Sequence, residues 1–352
     1  MLLKNKKKEI IPASILLVIL GIGLFIAFQK IPVGIDYTHY SMSARAFLSG
    51  DSRLYDVNTH SYYYMPWGLL ITIPLSILPD SLGQAILNLL SLGGIFLSLY
   101  LLVEHIPSWG TMLVFINLYT INMVFSGQWD GISVGACAIA WWSIKHKQHL
   151  GVGGALLLLT TKPTNMILVT ILLGIYILKN WQITDILKSI ILPVLILITS
   201  FVFCGIDWPW RYIQYLQISP PPEILNLSLW QGLSWQKLLV MLGIFLWFLI
   251  LVWKNGINQL TISLGMVVNI IISPYVLTYH FLGTSPAFGW LAKKHWGYVL
   301  FPWAVMIYHF VTLVELSLKR NFIVYPLSIG IISIIAWASL FLNSSSFKRN
   351  RI

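Results

Sequence analysis

Apolar runs near or above the ~17–25 residues of a membrane-spanning helix recur along this chain. Ile10 to Phe28, Ser81 to Val103, Ile186 to Cys204, Lys237 to Trp253, Leu260 to Leu277 and Asn321 to Leu342 are the clearest. A transmembrane barrel would instead show ~10-residue segments of alternating polarity. The pattern predicts an all-α, polytopic transmembrane protein, a single integral membrane domain over 1–352. Helix one is followed by spans near 81–103, 109–125, 130–144, 150–161, 164–178, 186–204, 237–253, 260–278, 281–292, 296–314 and 322–343, about twelve in all. Met65–Pro79 is also apolar, but Pro66 to Pro79 makes only ~21 Å of helix against a ~30 Å hydrocarbon core. With Pro74 inside it, it reads as a re-entrant or juxtamembrane helix.

Charge sets the orientation. The basic Met1–Lys8 end has no small-residue cleavage site after it, so it reads as a retained signal anchor with its N-terminus inside. Lys145/Lys147, Lys179, Lys254, Lys293/Lys294 and Lys348/Arg349/Arg351 then all fall on the inner face. A crossing at 65–79 would reverse that bias. Both termini are therefore expected to be cytoplasmic in a plasma-membrane protein, with outer loops at 30–80 and 205–236. The formal charge of +11 is accounted for by these inner loops, and no nucleic-acid partner is implied. Cys137 and Cys204 lie far apart in apolar segments, which excludes a disulfide framework.

Polar residues able to do chemistry gather at the outer helix ends. In VGIDYTHY, a helix from Asp36 to Leu48 puts Tyr37, Tyr40, Ala44, Phe47 and Leu48 on one face, suited to lie on the bilayer. Asp36 is either the cap of that helix or a carboxylate at the membrane edge that takes a proton from an acceptor hydroxyl. Asp51 and Asp56 read as turn residues. SYYYMPW is an interfacial aromatic belt, or a segment in which Tyr64 and Pro66 shape a sugar or lipid site. In FSGQWDG, Gln128 and Asp130 offer hydrogen bonds to hydroxyls, or merely close a helix–helix turn. Lys162, beside Pro163, snorkels or supplies a cation for a phosphate. Arg211, among Trp208, Trp210 and Tyr212, anchors its loop or binds an anionic headgroup. Asn226, Ser228 and Gln231 suit sugar hydroxyls. Ser273-Pro274 breaks a helix, and non-helical backbone at that depth should line a cavity, with His280 beyond it near the outer face. No Walker loop, dinucleotide fingerprint, nucleophile elbow or metal-spaced His/Cys cluster is present, so no cofactor and no metal are expected.

The order of these motifs resembles the GT87, or DUF2029, family of polytopic glycosyltransferases. An Asp-led first loop with LYD (Leu54–Asp56) is followed by Tyr64 and Pro66, Gly127-Gln128, Lys162-Pro163, Asn226-x-Ser228-Leu229, then Ser273-Pro274 and His280. The resemblance covers roughly residues 10–310. It implies the GT-C fold and an activity similar to polyprenyl-phosphate-mannose-dependent α-mannosyltransferases. The partners it implies are a polyprenyl-phosphate-linked sugar donor, a glycan or glycolipid acceptor and membrane lipids. Transfer would be inverting, at an extracytoplasmic site, with Asp36 as general base. Lys162, Arg211 and His280 would then hold the donor phosphate. Tyr40, Tyr64, Gln128, Asp130, Asn226 and Ser228 would hold sugar or acceptor. GQWDG departs from the family, which more often has an asparagine near Asp130, and that bears on sugar or acceptor choice. A transporter or flippase of a lipid-linked sugar is the alternative; it predicts polar groups near the midplane and inverted repeats, neither of which the sequence displays.

Overall fold

The computed structural model describes residues 20–51, 54–55, 62–103, 114–115, 117–218, 228–230, 233–294, 303 and 307. The expected span at 322–343, that at 296–314 apart from 303 and 307, and Asn226, Gln231 and Asp56 lie outside them. Every regular element among the described residues is helical. After a helical stretch over 20–28 come α1 (Ile35–Leu48), a 3-10 turn (Pro66–Gly68), α2 (Leu69–Ser76), α3 (Asp80–Val103), α4 (Leu118–Ser126), α5 (Asp130–Lys145), α6 (His149–Thr160) and α7 (Pro163–Asn180). The second half holds α8 (Ile183–Cys204), α9 (Trp208–Ile218), α10 (Trp235–Asn255), α11 (Gln259–Ile272), a 3-10 helix (Thr278–Thr284) and α12 (Ser285–Lys294). Three helices, α3, α8 and α10, are long and apolar enough to cross a membrane.

The 65–79 segment is helical only from Pro66 to Ser76, roughly 17 Å of rise, too short to cross. Two expected spans are interrupted. The 109–125 span restarts at Asn117, whose side chain accepts from Thr120 N at 2.9 Å and caps α4. The 260–278 span ends at Ile272, because Ser273 is extended before Pro274. The carbonyls freed there are taken up locally. Ser228 Oγ donates to Ser273 O, and Trp230 Nε1 donates to Ile272 O at 2.9 Å.

Small residues bring α3 and α5 together. A Cβ on Gly131 would collide with the Ser91 carbonyl, and one on Gly94 with the Gly131 carbonyl. Such a backbone-to-backbone approach is what glycine permits between membrane helices. Gln84, Asn88 and Ser91 then form a polar stripe on the same face of α3. Asn88 Nδ2 donates to Val124 O at 3.1 Å and Ser91 Oγ to Gln128 O at 3.1 Å. Gln84 Oε1 accepts from Gly34 N at 2.7 Å. A side chain on Gly34 would strike the Ser126 carbonyl, so the start of α1 is seated directly on the end of α4.

Most of the face expected to lie on the bilayer is instead buried against protein; Phe47 is half-buried and Leu48, at its end, stays exposed. Tyr37 and Tyr40 are 1% exposed and Ala44 is 0%, whereas Ile35 and Met42 face outward. The reason is the short apolar hairpin next in the chain: α2 packs on α1, and Tyr37 OH donates to Leu75 O at 3.2 Å. Arg45 fastens the far end of α1. Its Nε donates to Ser76 O at 2.9 Å and its Nη2 pairs with Asp80 Oδ1 at 2.7 Å.

Candidate functional site

Three helices begin at one place. Asp36 stands in the first turn of α1, Asp130 opens α5, and Lys162 immediately precedes α7. Helix N-termini carry unpaired N–H groups and a positive dipole end, and together they favour anionic groups. Gly34, not Asp36, caps α1, and no side chain bonds the cap. The capping alternative for Asp36 is thereby removed.

The Gly127 turn delivers Gln128. Its φ of +70° is the left-handed region that glycine tolerates, and Gln128 N donates back to Met123 O at 3.0 Å. A hydrogen-bond relay then orients the Gln128 amide. Tyr40 OH donates to Gln128 Oε1 at 2.5 Å, and so accepts from Tyr64 OH at 2.7 Å. With Oε1 occupied, the NH2 end is turned to Asp36. It favours the ionised carboxylate, although Nε2 makes no hydrogen bond of normal geometry. Burial is the larger influence, and it raises the Asp36 carboxyl above the ordinary aspartate value of 3.8. Lys162 and His39 act against that rise, and Asp130 adds to it.

Behind Asp36 lies a buried charged group. Lys162 Nζ donates to Asp130 Oδ2 at 3.2 Å, and Asn165 Nδ2 donates to Asp130 Oδ1 at 2.5 Å. The Lys162 ammonium also sits over the Tyr279 ring, 4.8 Å from its centroid, and 5.6 Å from that of Tyr64. His280 Nε2 is 3.9 Å from Asp130 Oδ1. His280 Nδ1 accepts from Leu277 N at 3.0 Å, so the neutral ring carries its proton on Nε2, and that buried N–H has no hydrogen-bond partner. α7 is held in register by Asn269, whose side chain is inserted into its first turn. Asn269 Oδ1 accepts from Leu168 N and its Nδ2 donates to Thr164 O, both at 2.9 Å. Leu168 N and Thr164 O are the two groups that a regular helix pairs with each other.

The structure thus brings together Asp36, Tyr40, Tyr64, Gln128, Asp130, Lys162 and His280. Tyr62 and Tyr64 are buried rather than arrayed as a belt. Two expected members stand apart. Arg211 Nη2 donates to Cys204 O, and its guanidinium pairs with Asp207 one turn earlier; it closes the α8–α9 corner. Ser228 is spent on the broken end of α11. Asn226 is outside the described residues. Both oxygens of Asp130 are engaged within the protein, by Lys162 and Asn165. Four residues escaped sequence reasoning: Asn165, Tyr279, Asn269 and Trp129, which stacks on Tyr40 with centroids 4.8 Å apart. Asn165 lies three positions after Lys162, where both reach the same partner from one helix start. That spacing was the available signal. Among the described residues, no group of three or more His, Cys, Asp or Glu side chains could hold a metal ion.

Compared with known proteins, the chain matches no family model, no curated protein and no solved structure.

Proposed function

We propose that this protein is a membrane glycosyltransferase of GT-C type, with about twelve spans, that moves a hexose from a polyprenyl-phosphate donor to a hydroxyl of a glycan or glycolipid outside the membrane. Mannose is the sugar implied by the resemblance. The observation that carries the reading is the environment of Asp36. It is a part-buried carboxylate at the start of a short helix, faced by the Gln128 amide and within electrostatic reach of Lys162.

Burial raises the basicity of Asp36 to suit a general base. In the reaction the acceptor oxygen bonds to the anomeric carbon as the bond from that carbon to the phosphate oxygen breaks. The acceptor proton passes to Asp36, and the electron pair leaves with polyprenyl phosphate. The leaving group is already competent, so the demand on the protein is positive charge and N–H donors where the second phosphate charge develops. Lys162 and His280 Nε2–H lie on that side of Asp36's neighbourhood. Tyr64, Tyr40 and Gln128 orient sugar or acceptor hydroxyls.

The deciding experiment is sugar transfer in membranes of an expressing host. One arm supplies labelled polyprenyl-phosphate-mannose, and another supplies labelled GDP-mannose with lipid-phosphate synthesis blocked. Transfer from the lipid donor alone, absent in Asp36→Asn, is the expected result. Movement of the lipid-linked sugar across liposome membranes without any transfer would replace this reading with the transporter.

A further inference from the structure

We infer that Asp130 is a positioning residue and not a sugar ligand: it holds Lys162 in place, and in its charged form, for the phosphate of the lipid donor. The inference rests on the glycosyl-transfer reading above. Its basis is that both carboxylate oxygens are engaged and the group is buried. One oxygen takes Lys162 and the other takes Asn165, and the residue is 3% exposed. So buried a carboxylate presents no open face to a sugar. Lys162 has the complementary problem. It is 7% exposed, and an ammonium so buried persists only beside an opposite charge.

The groups facing Lys162 are Asp130 on α5, Asp36 on α1, the Tyr64 ring, and Tyr279 and His280 on the 3-10 helix. Two carboxylates therefore share one lysine. Asp130 is the one in contact with it, and Asp36 must protonate during each turnover. Between those states Asp130 supplies a constant counter-charge, so Lys162 stays cationic while Asp36 cycles. His280 Nε2–H, buried and unpartnered beside the pair, leaves one donor ready for a phosphate oxygen. As the second phosphate charge develops, Lys162 has a new anion to share itself with.

The test is binding of a polyprenyl monophosphate, the released product, to purified full-length protein in lipid nanodiscs, read by intrinsic tryptophan fluorescence at pH 6 and pH 8.5. Wild type should bind at both. Asp130→Asn should bind about tenfold more weakly at pH 8.5, the loss of one charged contact, with a smaller deficit at pH 6, because burial without its counter-charge pushes the lysine further toward its neutral form as pH rises. The titration of the free lipid phosphate is common to both proteins and cancels in the ratio. Lys162→Gln should be weak at both pH values, and Asp130→Asn/Lys162→Gln should be no weaker than Lys162→Gln alone. That last pair leaves no unpaired buried charge and gives an answer even if Asp130→Asn fails to fold. Equal binding by Asp130→Asn and wild type at pH 8.5 overturns the inference. So does a double variant more than threefold weaker than Lys162→Gln, because Asp130 would then touch the ligand itself. Wild type that folds but binds no polyprenyl phosphate at either pH overturns the glycosyl-transfer reading, and this inference with it.

Discussion

The molecule contains the same three side-chain types, aspartate, lysine and histidine, assembled twice. At the start of α5, Asp130 meets Lys162 at 3.2 Å with His280 at 3.9 Å. Beyond the other end of α5, Asp185 meets Lys147 at 3.3 Å and His149 at 3.0 Å. α5 is 16 residues long, roughly 24 Å, so the trios occupy opposite ends of the bundle. Their distances are nearly alike, but their surroundings are not. The Lys162 and Asp130 side chains are 9% and 4% exposed, whereas Lys147 is 59% exposed. Water screens the second trio and lets each member stand alone. The first has no such option, because removing one member leaves another as a buried, unpaired charge. A catalogue of ion pairs would rank the two equally. Burial separates a solvent-facing fastening from a buried charged cluster.

The largest effect that would sharpen this contrast is on turnover. Asp36 lies within electrostatic reach of the buried trio, and among the described residues no further carboxylate stands in that relation to the exposed one. Asp36→Asn should lower sugar transfer by about 10²–10⁴-fold, measured with labelled lipid donor at matched protein levels. Next comes stability. Asp130→Asn should cost about 3–5 kcal/mol, whereas Asp185→Asn should lower the thermal midpoint far less, both read by fluorescence melting in nanodiscs. Equal losses would erase the distinction drawn here. Gly131→Ala tests whether the α3–α5 approach is what aligns the buried trio; overpacking against the Ser91 carbonyl should cost about 1–3 kcal/mol and lower activity with it.

A smaller effect concerns pH. Burial holds the Asp36 carboxyl above 3.8, and a general base works only when ionised. The rate should therefore rise with pH through that raised value and be lost below it. Gln128→Leu removes the amide that favours the ionised form, so the rise should move to higher pH in a pH–rate profile, with the plateau less affected than by Asp36→Asn. A downward move would break the role given to Gln128. The smallest expected effect is salt. Raising ionic strength should weaken the Lys147–Asp185 pair and spare Lys162–Asp130, seen as a salt-dependent midpoint in wild type that disappears in Asp185→Asn.

Several features were legible from the chain. Three apolar runs became helices long enough to cross a membrane, Pro66–Ser76 was too short to do so, and Ser273-Pro274 ended its helix as its backbone chemistry requires. The polar residues around Asp36, Gln128 and Lys162 stood out because polarity is rare in so apolar a sequence. Periodicity misled at Tyr37, Tyr40 and Ala44. It finds an apolar face without saying whether lipid or protein covers it, and here the α2 hairpin does. It misled at 109–125 too, where hydropathy averaged over a window cannot see Asn117 start a new helix. Arg211 was grouped with Lys162 because both were expected on the outer side, yet Asp207 and the end of α8 engage it within its own corner.

What the sequence alone determined, then, is the local quantity: how much hydrocarbon each segment carries and where its backbone must break. Which polar groups meet was decided by the tertiary structure. Tyr40 and Gln128 are separated by 88 positions, Lys162 and Asp130 by 32, and Asn269 and Thr164 by 105. None of these pairings follows from a helical period. They form because helix packing, of which the glycine contact between α3 and α5 is one instance, brings distant segments together, and because a buried charge or amide must find its partner among whatever that packing brings within reach.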